Sequence, residues 1–310
     1  MTVPRQVVAG RSYLISRRCT QRQLLLRPDA HVEQIFLYCL GEAADRYGIT
    51  LHAWIAMSNH EHLLLRDNHG NYPAFLAHFH KMVAKSLNAY WRRWENFWAA
   101  EQPSAVYLVE AQDRFDKLIY LLANPVAAHL VDRANDWPGA TSLHQQLSGS
   151  PRKVTRPVGF FSEDGPMPES VTLRVQRPDG FEHLSDNEWT EKVLAAVRAA
   201  EDAAREHRKQ NKLTVLGRKA VLKARPTDRP RSVEPRRELR PLIACGDFAR
   251  RVAELGALRR FRAAYRTALE RYRAGKYKVR FPPGTYRVMF LGAWRDVAFD
   301  LGGAATSVVC

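Results

Sequence analysis

The nine residues Met57–Leu65, MSNHEHLLL, constrain this chain more than any other stretch. With the preceding LHAWIAM at 51–57 they read as two β-rich runs, Leu51–Met57 and Glu61–Arg66, separated by Ser58, Asn59 and His60, so an antiparallel pair with a short turn is expected. Alternate side chains leave opposite faces of a strand, which sends His60 and His62 one way and Glu61 the other. Two imidazoles on one sheet face make half of a divalent-metal site. The same spacing also suits two solvated surface histidines, so the reading depends on what else the chain brings to that face.

The flanking sequence supplies a sheet for the pair. Ser12–Cys19 reads as a first strand, with Arg17 and Arg18 at its end as candidate nucleic-acid contacts. Asp29 starts a helix running to Tyr47, with Val32, Ile35, Phe36, Cys39, Leu40 and Ala43 at helical spacing and Gly48 as its stop. After the histidine strand, a long helix is expected from about Pro73 to Trp94, with Phe75, Phe79, Met82, Val83, Leu87 and Tyr90 on its apolar side. Its polar side carries Lys81, Lys85 and Arg92, a ridge suited to tracking phosphates or simply a solvated face. Trp91, Trp94 and Trp98 read as packing residues ahead of base-stacking platforms. Val106–Glu110 is a fourth strand, and Asp113 caps a helix that reaches Asn124, where Pro125 should kink or restart it. Strand, helix, strand, strand, helix, strand, helix is the ferredoxin-like split pattern. It predicts an α+β domain over 1–147 whose antiparallel sheet has helices on one face and leaves the other open for function.

Length and charge describe the remainder. At 310 residues two domains are expected, and a net charge of +16 points to a polyanionic partner, nucleic acid first and an acidic membrane surface second. No apolar stretch approaches a membrane span of roughly 18 residues, and MTVPRQVVAGR lacks the apolar centre of a signal peptide. Cys19, Cys39, Cys245 and Cys310 form no CxxC pair, which fits a reduced, cytoplasmic setting. Residues 148–185, rich in proline and glycine, read as a linker with room for a short hairpin, and 186–310 as a mainly helical, basic DNA-binding module. Between 208 and 240 the chain carries twelve basic and three acidic residues, with Arg218, Lys219 and Lys223 among the candidate DNA contacts. A helix-turn-helix can be drawn over 188–223, and Asp247–Ala274 is a third helical stretch. No interface signal chooses between monomer and homodimer.

The chemistry comes from YLLANPV, which starts at Tyr120. On a helix Tyr120 and Asn124 share a face one turn apart, and Lys117 lies three residues before Tyr120 on nearly the same face. Beside a two-histidine site, the amide completes a metal's ligand set, the metal polarises a phosphate and the phenol attacks it. A free tyrosine is phenolate in roughly one molecule per thousand at pH 7, a cost of about 4 kcal/mol that a divalent cation and a lysine can offset. Taken alone, Tyr120 and Asn124 suit a core tyrosine and a capping asparagine as well.

Residues 57–65 and 118–139 resemble the IS200-like single-tyrosine transposases, in particular the REP-associated tyrosine transposases. That family is marked by a Met-Pro-Asn-His-x-His-Leu-Leu strand and a Tyr-x-x-x-Asn-Pro-Val helix, and the resemblance spans about residues 10–145. It implies that His60 and His62 bind Mg²⁺ or Mn²⁺, that Asn124 is a third ligand, and that Tyr120 forms a 5′-phosphotyrosine link to single-stranded, hairpin-associated DNA. WPGATSL at 137–143 is similar to the segment that follows this helix in the family. Ser58 stands where the family has proline, and Glu61 where a bulky apolar residue is usual, so its carboxylate must reach solvent or find a partner. Two rival readings are a hairpin DNA- or RNA-binding relative that does not cut, and a phosphodiesterase with water as nucleophile.

The charge of the chain generates a direct expectation. If on the order of eight phosphates are neutralised, affinity for hairpin DNA falls about 10⁴-fold between about 50 and 200 mM salt. A binding isotherm that does not move with salt would remove the basic segment from the interface.

Overall fold

A computed structural model describes residues 4–162, 164–230 and 241–286. Its first six strands and α-helices are β1 (Arg11–Arg18), α1 (Ala30–Tyr47), β2 (Ile49–Met57), β3 (His60–Asp67), α2 (Tyr72–Tyr90) and β4 (Ser104–Leu108). They are followed by α3 (Ala111–Ala127), α4 (Leu143–Ser148), β5 (Arg152–Thr155), β6 (Ser170–Leu173) and α5 (Asp186–Gln210). The described chain closes with α6 (Arg218–Lys223), β7 (Ile243–Ala244) and α7 (Phe248–Arg273). The main sheet has the order β2-β3-β1-β4-β7, antiparallel except for the β4–β7 pair. The α+β class and the split pattern are as expected.

Local chemistry sets the boundaries. Asp29 caps α1 by accepting from the backbone N–H groups of His31 and Val32, and Gly48 ends it at φ 63°, a left-handed conformation that glycine takes without a Cβ clash. The start of α3 differs from expectation: Glu110 is the cap, and Asp113 answers it in a reciprocal capping box. Pro125 neither kinks nor restarts α3, because it lies in the last turn, two residues before the end.

Both faces of the sheet are covered, which corrects the expectation of helices on one face only. α1 and α2, the two helices of the split pattern, pack on Ile15, Leu63 and Leu65. α3 and α5 pack on Ile55, Leu64 and Leu108 across the sheet. The cause is legible in β3, where Leu63, Leu64 and Leu65 are all fully buried: a strand apolar on both faces needs a layer on each. The segment expected as a linker is also packed structure. Its β5–β6 hairpin buries Val154, Val171 and Leu173 against α1, and Gly41 is required there, since a Cβ would stand 2.7 Å from Val171 Cγ2. Within the region expected as a C-terminal module, Ala268 of the last helix packs with Val279 and Phe281 in a small cluster of its own. Trp189, Val193 and Val197 of α5 join the core under α3, and β7 extends the main sheet. α6 has six residues with Val221 turned inward, too short for the recognition helix of a helix-turn-helix. Arg231, Arg236, Arg237 and Arg240 of the expected basic arm lie outside the described residues, as do Cys310 and the end of FPPGTYRVMF.

Several ionisable groups are sealed in this core. Glu61 and His80 are fully buried on the α2 face, with Glu61 Oε1 2.6 Å from His80 Nε2. Burial pushes the His80 imidazole below the ordinary histidine range, against the opposing pull of Glu61. His52 is likewise lowered by burial, and its Nδ1 meets Gln176 O at 2.8 Å. On the opposite face, His62 is lowered to about 3, by burial first and by His60 second.

Two outcomes follow from these buried groups. Replacing one partner of a buried pair strands the other, so Glu61→Leu should cost on the order of 3–5 kcal/mol in urea unfolding, and adding His80→Phe should recover most of it. Histidines lowered in the folded state leave the unfolded chain binding more protons below about pH 6.5. Stability present above that pH is therefore lost as pH falls, for His62 down to about 3, with a slope near 1.4 kcal/mol per pH unit while one group titrates. Denaturation curves across this range should be shallower for His62→Asn than for the parent chain.

Candidate active site

Strand alternation and register assemble the site on the α3 face of the sheet. Ser16 pairs with His62 and Arg18 with His60 across β1 and β3, so these four residues leave the same face. The His60 and His62 rings meet edge to face with centroids 4.9 Å apart. α3 crosses that face and brings the Tyr120 ring to 5.6 Å from His62. Lys117 Nζ lies 5.7 Å from the centre of the same tyrosine ring. Asn124 follows one turn later and is largely buried. Tyr120 is 47% exposed while Leu118, Leu121 and Leu122 around it are buried, so its phenol faces solvent at the rim of the histidine pair.

The donor atoms suit a divalent cation. His60 Nδ1 sits 2.7 Å from Asn59 Oδ1, and with the amide oxygen accepting, the ring proton is on Nδ1 and the lone pair on Nε2. His62 Nδ1 is buried without a hydrogen-bond partner, and the ring is neutral at physiological pH, the form that ligates metal. Imidazole nitrogens are common ligands of transition metals such as Mn²⁺, whereas Mg²⁺ prefers an all-oxygen shell. Elsewhere among the described residues, Glu110, Asp113 and Cys245 bring potential ligand atoms together, but they are occupied as a clamp. Its carboxylates accept from the backbone of Gly246 and Asp247 and from Arg250.

Of the residues expected from sequence, His60, His62, Lys117 and Tyr120 come together, and Asn124 shares the helix face. Arg18 is beside them, within 3.6 Å of Glu101. Arg17 is not: it pairs with Glu61 in register, leaves the opposite face, and stacks 5.2 Å from the Trp98 ring. Lys81, Lys85 and Arg92 are exposed on and just beyond α2, across the sheet from the histidines. α6 is tied to the end of α3 by the Leu216 and Gly217 N–H groups donating to His129 and Leu130. This sets exposed Arg218, Lys219 and Lys223 near the Asn124 end of that helix. Trp91 and Trp98 are packing residues as expected, their indole N–H groups donating to Leu25 O and His80 O, whereas Trp94 is 96% exposed.

Three features were not anticipated. Asn59 lies inside the opening motif, yet its grip on His60 depends on turn geometry that spacing does not reveal. His80 could have been sought, since a buried Glu61 demands a partner. A groove of about 400 Å³ runs along residues 134–145 and is flanked by Arg152 and Arg218. It follows the outer edge of β2, where the WPGATSL segment is fixed: Trp137 Nε1 donates to Ala56 O, Ala56 N to Ala140 O, and Ser142 N to Trp54 O.

No protein-family profile matches the sequence, and no curated protein does. Two solved structures show partial likeness. One is a REP-associated tyrosine transposase bound to a REP hairpin, 14% identical, with TM-score 0.41, covering 57% of this chain and 98% of its own. The other is a candidate transposase from Deinococcus radiodurans R1, 19% identical, with TM-score 0.28, covering 38% of this chain and 93% of its own.

Proposed function

We propose that this chain is a metal-dependent transposase that cleaves and rejoins single-stranded, hairpin-associated DNA through Tyr120. The observation that carries the reading is the juxtaposition of a solvent-facing tyrosine with two histidines on one sheet face, one of them with an unpartnered ring nitrogen. His60, His62 and Asn124 would hold Mn²⁺ or Mg²⁺, which when bound supplies charge stabilisation for the phosphate oxygens and the phenolate. Tyr120 Oη attacks phosphorus, the bond to the 3′ oxygen breaks, and the strand departs with a 3′-hydroxyl while the 5′ side stays as phosphotyrosine. Attack by that hydroxyl on the phosphotyrosine reverses the step and rejoins DNA. Lys117, on the same side of α3, adds positive charge where the phosphate would sit. Glu61 takes no part, because its carboxylate faces α2 and is held by His80.

The DNA would pass over Arg18 and the basic α6, with Arg218 reaching the groove beside Trp137. Among the described residues no helix is long and apolar enough to cross a membrane, and the net positive charge fits a nucleic-acid partner in the cytoplasm, near the nucleoid.

Incubation with a labelled hairpin oligonucleotide and Mn²⁺ should give a covalent adduct on a denaturing gel. Tyr120→Phe should abolish it, and Lys117→Ala should slow it about 10²-fold, the scale for losing one charge-stabilising group. Cleavage without an adduct would instead indicate water as the nucleophile, and retention without cleavage a hairpin-binding protein.

A further inference from the structure

A small cavity of about 50 Å³ lies at the other end of β1, where Arg5, Arg11, Tyr13, Tyr72, Tyr107 and Arg262 converge. It is built from distant parts of the chain: the N-terminal segment, β1, α2, β4 and α7. Three guanidinium groups and one carboxylate, Glu254, line it, with Glu254 Oε2 3.8 Å from Arg11 Nη2, and the buried Asp67 carboxylate acts on Tyr13 and Tyr72 from beside it, which leaves a net positive charge. Arg5 Nη2 is turned to Pro103 O at 2.8 Å, and the Arg11 guanidinium rests 4.3 Å from the centre of the Tyr107 ring. Arg262 Nε is buried with no hydrogen-bond partner. Tyr13 is 3% exposed, and its buried hydroxyl has no acceptor for its proton. Burial raises Tyr13 well above the ordinary phenol range and Tyr72 in the same direction, so both remain O–H donors at physiological pH.

Donors therefore outnumber acceptors in a space with excess positive charge, and a buried, unpartnered donor is costly. We propose that this cavity binds a phosphate group, either as a free anion or as the terminal phosphate of a nucleotide or nucleic-acid strand. Planar guanidinium forks with neutral O–H donors match a tetrahedral oxyanion. A single water probe occupies roughly 10–15 Å³, so the space suits one such anion and is far below the roughly 300 Å³ at which pockets for whole small molecules begin. Arg11 and Glu254 side chains remain 21% and 30% exposed, so the mouth meets solvent. The site is separate from the candidate active site. Tyr13 lies five residues before Arg18, roughly 17 Å along the strand, and it packs with the α2 face while the histidines face α3.

Isothermal titration of the full chain with inorganic phosphate at constant ionic strength tests this. One saturable site is expected, with Kd at or below about 1 mM. Arg262→Leu and Tyr13→Phe should each weaken it at least about tenfold, the lower end of the range for hydrogen bonds to a charged group. Tyr120→Phe should bind phosphate as the parent does, which keeps this result apart from the cleavage reading. If a 5′-phosphorylated dinucleotide displaces phosphate and its 5′-hydroxyl counterpart does not, the source is a nucleic-acid end. Displacement by neither assigns the free anion. Absence of saturable binding up to about 10 mM, or an unchanged affinity in Tyr13→Phe, overturns the proposal. Tyr13→Phe preserves packing, so it decides the matter even if Arg262→Leu does not fold.

Discussion

Strand β3 works on both of its faces at once, and the rest of the structure depends on that. Its odd positions hold Glu61, Leu63 and Leu65 against α1 and α2, and its even positions present His60, His62 and Leu64 to α3. Register on such a strand cannot slip by one residue without exchanging the two sets. The Glu61–His80 pair, with Arg17 opposite Glu61 across β1, pins it: a carboxylate in an apolar layer is tolerated only where it meets such partners. This also settles what the unusual glutamate does between the two histidines. It stands on the far side of the sheet from the candidate chemistry, and its role is to lock the strand that carries the paired histidines.

Much of the site was legible in sequence because it rests on local periodicity. The two-residue repeat put both histidines on one face, and the helical repeat aligned Lys117, Tyr120 and Asn124. Which helix would cover which sheet face was not legible, because amphipathicity says that a face is buried and not against what. The same limit applies to α5, whose apolar stripe was plain but whose berth under α3 was not. β7, two residues long, has no pattern to read. Arg17 shows how fine the margin is: it adjoins Arg18 in sequence, yet strand alternation sends it to the opposite layer.

Basic residues consequently divide into populations with different physics. Arg208 is buried, its Nη2 2.5 Å from Asp132 Oδ1, and Arg114 donates to the backbone oxygens of Leu108, Val109 and Asp179. These cations hold the fold together and offer nothing to a polyanion. Exposed Lys81, Lys85 and Arg92 contribute to the general positive field on one side, while Arg218, Lys219 and Lys223 cluster by the end of the candidate nucleophile helix. The net charge alone overstates how many groups a nucleic acid can meet.

The support beneath α3 bears on how the protein is made. Glu201 accepts from the Ala134 N–H at 2.7 Å, and Arg208 grips Asp132, so the turn that follows α3 is held by residues at the end of α5. At synthesis rates of about 5–20 residues per second, the ribosome delivers these residues roughly 4–18 seconds after Tyr120. During that interval the sheet can close with α1 and α2, while the helix bearing the tyrosine lacks its outer layer. The nascent chain thus carries the histidine pair before Tyr120 is fixed beside it.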